Sequence, residues 1–578
     1  MVLADEFARC GIRDIVIAPG ARSGPLVQAL HQRAMLSGQR LHMHFDERAA
    51  SFLALGMAKT SRRPVIVVCT SGTATANLHP AVMEASHSHL PVIVVTADRP
   101  PEMRGTGASQ TTDQVKLYGS AVRLFAEVGP ISPEENAAPS PNNYWRSLVC
   151  RIVASAAQGP VHLNVALREP LTFDLADDPL SRFPGRPDGK PWVAITPPPR
   201  CAAAPIITEI PARSKGLVIV GDDVDDGDAA VAFAEAAGWP LLAEPQSNAR
   251  SGPNAITTYP YLLGHATMRQ RLMPEIIVSV GRPGISREIL GLVHEVVEHI
   301  VVDSHTDWAD PTRSAHKVVP TLPLPVGPSA DASWLRQWRA ADQLARRALD
   351  DFLDESDLSE PRLIRDVLNH IPQNALCFIG SSMPIRDAEI TMPAGRALRI
   401  ICNRGLAGID GNTSTAIGAA LAHQATGGGK AYAIMGDLTF LHDTTGLISC
   451  AHSARPDLTL IVINNQGGGI FSLVGYTADA IGFEDLFASP HSVDLAGLAA
   501  ATGWEHQTAS TPSQLIAGIN GHGPRILEVH TARGVNAKLH QRLKQHIHQH
   551  LDDGPGIGEG TLLDFLADEG ERQCLLES

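Results

Sequence analysis

The most chemically suggestive stretch of the chain runs from residue 436 to residue 469. Gly436-Asp437-Leu438 is followed, 25 residues later, by Asn464-Asn465, and then by Gly467-Gly468-Gly469. The Asp437 carboxylate, the Asn465 amide oxygen and the Gly467 carbonyl are hard oxygen donors. Mg²⁺ takes such donors and fills its remaining octahedral places with phosphate oxygens and water. Glycines beside them let backbone come close to a phosphate. Read apart, a Gly-Asp pair is a turn and an Asn-Asn pair is a polar strand end. Read together at this spacing, they fit a site for a metal ion and a phosphate group.

Both ends of the motif follow apolar runs, Tyr432–Met435 and Thr459–Ile463, with room for one helix between them. Such a unit crosses over right-handedly, so its strands are parallel and their tips share one sheet edge. Asp437 and Asn465 can then meet one ion. The same rhythm runs through the chain. Ile15–Ala18, Val65–Cys69, Val92–Thr96 and His162–Val165 form a first block. Leu217–Val220, Ile276–Val280 and Ile300–Val302 form a second. Leu376–Ile379 and Ile526–Val529 join the two motif strands in a third. Short apolar runs ending in Gly, Asp or Ser/Thr read as buried parallel strands joined by helices. The fold class is α/β, with three doubly wound parallel-sheet domains. Their expected bounds are 1–180, 181–345 and 346–540, with a C-terminal extension over 541–578. Pro-rich Phe173–Pro211 and Thr321–Ser329 read as linkers. No internal repeat is visible.

A chain of 578 residues exceeds what one core supports, about 250–300 residues. A formal charge of −14 speaks against nucleic acid as a partner. No apolar run reaches the ~18 residues of a membrane span, and the start carries acidic residues where a signal peptide carries basic ones. No membrane insertion and a cytoplasmic location are expected. The first element reads as a helix from Leu3 to Cys10. Eight scattered Cys, none spaced CxxC, read mostly as small buried apolar side chains in a reducing compartment. His540, His546, His548 and His550 do not share one helix face, so a solvated terminal helix is expected there rather than a metal site.

The metal motif resembles the signature of thiamine-diphosphate-dependent enzymes, which begins Gly-Asp-Gly and ends Asn-Asn. Leu438 stands where the second Gly is usual. Six further segments resemble the menaquinone-pathway synthase branch of that superfamily: Ile17–Ser23, Thr70–Ala85, Thr96–Glu102, Gly380–Asp387, Asn403–Gly411 and Asn464–Val474. They fall in the first and third blocks; the middle block matches mainly in place and length. The resemblance implies a transferase (carboligase) using thiamine diphosphate and Mg²⁺, with Mn²⁺ as a substitute. It implies that Glu47 faces N1′ of the aminopyrimidine and favours the imino tautomer, whose 4′ nitrogen takes the thiazolium C2 proton. Seen alone, Glu47 is equally a first-turn carboxylate opposing its helix dipole. In this superfamily the pyrimidine and diphosphate halves of a site come from different subunits. A homodimer or homotetramer with active sites between subunits is therefore implied.

The implied reaction is decarboxylation of 2-oxoglutarate and conjugate addition of the succinyl-semialdehyde carbanion to isochorismate. Both substrates carry two carboxylates, which arginine grips bidentately. Matched position by position, the family's catalytic and substrate-binding roles fall on Arg22, Ser23, Gln110, Ser382, Arg386 and Arg404. Arg386 and Arg404 suit carboxylates, and Arg22 and Gln110 suit isochorismate; Arg287 is a weaker match. Cofactor contacts fall on Glu47, Ser382, Ile409, Asp437, Asn465, Gly467, Ile470 and Phe471, and metal ligation on Asp437, Asn465 and Gly467. Ile409 matches the apolar wedge that bends the cofactor, while Ile470 and Phe471 would exclude water from the carbanion. Taken singly, the arginines are surface ion-pair residues and the apolar three are packing. Ala21 stands where the family usually has Ser, which removes a hydroxyl contact. The alternative is another thiamine-diphosphate 2-oxoacid decarboxylase or carboligase, of the type with FAD in its middle domain and less charged substrates. The strand-end arginines count against it.

Overall fold

The computed structural model describes residues 1–130, 141–172, 179–195, 208–212, 214–224, 226–327, 332–473 and 481–553. Six parallel strands build the first sheet: β1 (Asp14–Ile17), β2 (Arg40–Met43), β3 (Val65–Cys69), β4 (Val92–Asp98), β5 (Leu124–Val128) and β6 (Val161–Ala166). Their order is β2-β1-β3-β4-β6-β5. The middle region holds β7 (Glu209–Pro211), β8 (Gly216–Val220), β9 (Leu241–Ala243), β10 (Ile276–Val280), β11 (Glu298–Val302), β12 (Lys317–Val319) and β13 (Leu324–Val326). Five of these form a parallel sheet in the order β12-β11-β10-β8-β9. The last sheet uses β14 (Leu376–Ile379), β15 (Arg399–Ile401), β16 (Ala431–Gly436), β17 (Leu458–Asn464), β18 (Glu505–Ala509) and β19 (Arg525–His530). It runs β15-β14-β16-β17-β19-β18. Counted from its own first strand, this order repeats that of the first sheet, a likeness of topology that no sequence repeat announces.

Open α/β sheets bind ligands beyond the strand carboxyl ends where the strand order reverses. That point lies between β1 and β3 in the first sheet and between β14 and β16 in the last. In the middle sheet it lies between β8 and β10, and there it is closed. Asp222 N donates to Arg282 O at 2.9 Å and Arg282 N to Asp222 O at 2.8 Å. A Cβ on Gly221 would stand 2.1 Å from the Arg282 carbonyl carbon, and one on Gly281 2.3 Å from Asp222 O. The two loops pack against each other at this point.

The outer two domains share one continuous core, with Phe52, Leu55 and Val67 from one side and Phe378, Ile417 and Met435 from the other. The helix Glu47–Ser61 crosses the helix Asn412–Gln424 at close range. Cβ atoms on Gly56 and Gly418 would each lie 2.0 Å from a backbone oxygen of the facing helix, those of Thr415 and Leu53. Only glycine permits this approach, which fixes the N-terminus of the Glu47 helix against the last domain.

Three expectations change. Each of the two Pro-rich stretches contributes a strand, β7 and β13, and these pair with each other; residues 173–178 and 196–207 lie outside the described residues. The boundaries expected at 345 and 540 fall inside continuous helices, Ala332–Glu355 and Arg533–Asp553. The terminal helix is not solvated all round. Leu543, Ile547 and Leu551, four residues apart, share one face and are buried with Trp334, Trp338 and Tyr261 in the middle core. Its histidines diverge: His540 lies 3.0 Å from Asp387, His548 bonds Tyr261 O at 3.2 Å, and the His546 and His550 rings are 4.3 Å apart. The tail beyond 553 lies outside the described residues. No described helix is long and apolar enough to cross a membrane.

Candidate active site

Seven of the residues singled out in the sequence line one crevice of about 280 Å³ in the last domain: Ser382, Ile409, Asp437, Asn465, Gly467, Ile470 and Phe471. Asp437 follows β16 and starts the helix Asp437–His442. Leu438 N donates to its Oδ1 at 2.6 Å, and Gly467 N donates to its Oδ2 at 2.9 Å. The two tips of the strand–helix–strand unit are thus in direct contact. Asn464 and Asn465 diverge, as successive strand-end residues must. Asn464 Nδ2 donates to Glu528 at 2.6 Å, and Asn465 Nδ2 donates to Glu360 at 2.9 Å. That leaves Asn465 Oδ1 buried with no hydrogen-bond partner among the described residues. An unmet buried acceptor costs about 1–3 kcal/mol, and a cation at the mouth of the Asp437 carboxylate would satisfy it. Gly467 has φ +141°, and a Cβ there would stand 2.3 Å from Ala488 O. The donor set fits a hard divalent ion, and the glycines fit a diphosphate.

The arginines gather beside this crevice. Ser382 precedes the helix Met383–Thr391 with φ 76°, and its carbonyl accepts from Arg386 Nη1 at 2.6 Å. Arg386 and Arg287 line a neighbouring cavity of about 380 Å³ that shares Met383 and Ile470 with the crevice. Burial lowers the Arg386 pKa, and the adjacent charges of Arg404 and Arg287 lower it further. Glu389 offsets part of this, and no ion pair closer than 4 Å joins these arginines to a carboxylate among the described residues, which leaves them able to take an anionic ligand. Arg404 donates to Gly284 O at 3.2 Å. Its loop is clamped from the first domain, where Glu84 accepts from Gly405 N at 2.8 Å and Leu406 N at 2.7 Å.

The first-domain residues do not enter this crevice within the chain. Glu47 opens its helix behind the Asp46 cap, whose side chain accepts from Ala49 N at 3.1 Å. Its carboxylate lies near the tip of β3, where burial and the charge of Glu47 push the Cys69 thiol up. Arg22 is buried, donating to Leu167 O at 3.0 Å, while Ser23 Oγ donates to Gly20 O at 3.0 Å. Gln110 is exposed, with φ 51°, and its backbone abuts Gly72. These residues collect at the carboxyl ends of β1 and β3. Among the described residues, the wall around Asp437 comes from the last domain.

Four contributors escaped the sequence reading. Arg99, at the end of the Thr96–Glu102 motif strand, donates to Ser71 Oγ and to Ser109 O; burial and the nearby Arg22 charge lower its pKa. Its place directly after β4 was the available signal. His491 comes within 3.2 Å of Asp437 Oδ2. Glu84 holds the Arg404 loop, and Glu360 holds Asn465. Burial and nearby Asp387 push the Glu360 carboxyl up to about 7.

Behind Arg386, Glu389 is fully buried, accepting from Tyr259 Oη at 2.8 Å. Burial, then the charge of Glu244, raises its pKa above the usual carboxylate range. The folded chain therefore keeps a proton that the unfolded chain releases near pH 4.3. Stability falls as pH rises through the interval between the two values. Glu389→Gln is expected to flatten the decline in thermal midpoint between about pH 4 and 8. An unchanged slope would move the effect to another group.

Comparison with known proteins agrees with this geometry. Residues 1–117 match the family described as thiamine pyrophosphate enzyme, N-terminal TPP binding domain. Residues 186–379 match the middle domain of thiamine pyrophosphate enzymes, and 388–529 the C-terminal TPP binding domain. The 2-succinyl-5-enolpyruvyl-6-hydroxy-3-cyclohexene-1-carboxylate synthase of Thermobifida fusca is 47% identical, covering 94% of this chain and 97% of the relative. The proteins of that name from Saccharopolyspora erythraea and Kineococcus radiotolerans are 42% and 41% identical. They cover 95% and 92% of this chain, and 98% and 95% of their own. The benzoylformate decarboxylase of Polynucleobacter necessarius superposes with a TM-score of 0.63, covering 92% of this chain and 98% of that one; at 16% identity it speaks to the fold alone. The chain belongs to the thiamine-diphosphate-dependent 2-succinyl-5-enolpyruvyl-6-hydroxy-3-cyclohexene-1-carboxylate synthase family of menaquinone biosynthesis.

Proposed function

We propose that the chain joins 2-oxoglutarate to isochorismate at a site shared by two copies of itself, and that Asp437, Asn465 and the Gly467 carbonyl hold a Mg²⁺ ion, or Mn²⁺ in its place. The observation that carries this reading is the meeting of Asp437 with Asn465, whose amide oxygen is unpaired, in the crevice walled by Ile409, Ile470 and Phe471. Thiamine diphosphate, when bound, supplies a nucleophilic carbon and a sink for the electrons released with CO₂. The residues of the chain place and protect it. Glu47 of a second copy exchanges a proton with the aminopyrimidine ring. Arg386 and Arg404 hold the substrate carboxylates through charge-assisted hydrogen bonds. Arg22, Ser23 and Gln110, with Arg99 beside them, orient isochorismate. Ile470 and Phe471 keep water from the reacting carbon.

The test mixes purified chain with thiamine diphosphate, Mg²⁺, 2-oxoglutarate and isochorismate, and follows CO₂ release and isochorismate loss together. Coupled loss that depends on cofactor and metal supports the reading. CO₂ release without isochorismate consumption would make the chain a decarboxylase using another acceptor, and sink it.

A further inference from the structure

Glu360 occupies the first turn of the helix Glu360–His370 and is 2% exposed. Its Oε1 accepts from Asn465 Nδ2 at 2.9 Å and from Thr531 Oγ1 at 2.9 Å, while Oε2 accepts from Asn536 Nδ2 at 3.0 Å. No cation stands at hydrogen-bond distance among its described partners; three neutral donors converge on it. Both Glu360 oxygens are met by N–H or O–H donors and act as acceptors toward them, so the Asn465 amide has one tolerable orientation. Nδ2 faces Glu360, and Oδ1 faces away, toward the crevice. Turning the amide over would set Oδ1 against Glu360 Oε1, oxygen against oxygen, and take the Asn465 donor away from that carboxylate. The orphaned state of Asn465 Oδ1 is therefore imposed from behind.

We propose that Glu360 is a positioning residue for the divalent cation, holding the Asn465 amide oxygen aimed at the metal place beside Asp437. This rests on the metal reading of the crevice given above. Partners behind a metal ligand fix its orientation and raise its basicity, and losing one typically weakens metal affinity about 10–100-fold. Glu360 does both: it removes the alternative amide orientation, and the hydrogen bond it accepts from Nδ2 draws electron density toward Oδ1. The contact spans 105 residues of sequence, and the segments that meet in it are the start of the Glu360 helix, the tip of β17 and the turn into the terminal helix.

The experiment titrates the full chain, saturated with thiamine diphosphate, with Mn²⁺, whose unbound signal is read by electron paramagnetic resonance. Glu360→Met keeps the size of the side chain and removes every acceptor. It is expected to weaken Mn²⁺ binding about 10–100-fold, with turnover recovering as metal is raised. Glu360→Gln, which still offers Asn465 an acceptor but no charge, is expected between E360M and the unaltered chain. Asn536→Ala loosens the terminal helix without touching Asn465, and is expected to lower the melting temperature while leaving Mn²⁺ affinity unchanged. A folded E360M that binds Mn²⁺ as tightly as the unaltered chain overturns the proposal. If E360M does not fold, wild-type affinity in E360Q overturns it equally. Asp437→Ala separates the two readings: undiminished Mn²⁺ binding in that variant would sink the metal reading itself, whatever Glu360 does.

Discussion

Glu47→Gln is expected to lower turnover about 10²–10⁴-fold, the usual contribution of a positioned general acid or base. Thiamine-diphosphate affinity and the melting temperature should hardly move. The argument turns on magnitude. If Glu47 served only to oppose its helix dipole, the substitution would cost about 0.3–1 kcal/mol of stability and leave chemistry alone. The structure already supplies that helix with a cap in Asp46, which accepts from Ala49 N at 3.1 Å, so the Glu47 carboxylate is not needed to start it. Turnover under saturating cofactor, with the melting curve as a control, separates the two roles. Exchange of the thiazolium C2 proton, read by quenching in heavy water, should slow in parallel.

The second large effect is expected from Asp437→Ala. Asp437 supplies the one carboxylate of the proposed ligand set, and its Oδ2 also receives Gly467 N at 2.9 Å. Its removal takes away charge, a ligand and the strut that sets the glycine turn. Loss of a direct ligand should weaken metal binding beyond the about 10–100-fold of an outer partner. Cofactor binding should then become weak and insensitive to added Mg²⁺. Calorimetric titration of thiamine diphosphate with and without metal checks this. A variant that still binds the cofactor in a metal-dependent way would contradict the ligand assignment.

The parts of the fold that were legible in the sequence share a physical property. Interior strands such as β3, β4, β10 and β17 are buried on both faces, so they read as unbroken apolar runs. The strands that escaped are the sheet edges, β2 and β5, β9 and β12, β15 and β18, and the two-stranded pair β7 and β13. They are half-solvated and mixed in composition, like Glu505–Ala509, or only three residues long, like Leu241–Ala243. The terminal helix was misjudged because its buried stripe is thin, one Leu or Ile per turn among His, Gln, Lys and Arg. That stripe finds its partner in Trp334 and Trp338, roughly two hundred residues upstream.

The site divides in the same way. Asp437 and Asn465 were readable because local spacing within one strand–helix–strand unit brings them together. Ser382, Ile409, Ile470 and Phe471 were readable only through resemblance, since a lone Ser or an apolar residue on a loop carries no signal of its own. Glu360, Glu84 and His491 act through contacts made by the tertiary fold. In the sequence, Glu360 is indistinguishable from any acidic residue opening a helix before a proline. Its burial with three donors makes it different, and no window of sequence contains that information.

The central claim is that Glu47 and Asp437 serve one site from two copies of the chain, and mixing the two inactive variants tests it most directly. Glu47→Gln and Asp437→Ala chains, carrying different tags, are expressed together, and the oligomers bearing both tags are isolated and assayed. A shared site predicts that activity returns, because Glu47 of the Asp437→Ala subunit faces Asp437 of the Glu47→Gln subunit. Mixed oligomers that form and stay as inactive as either parent would place both groups in a site within one chain, and contradict the account.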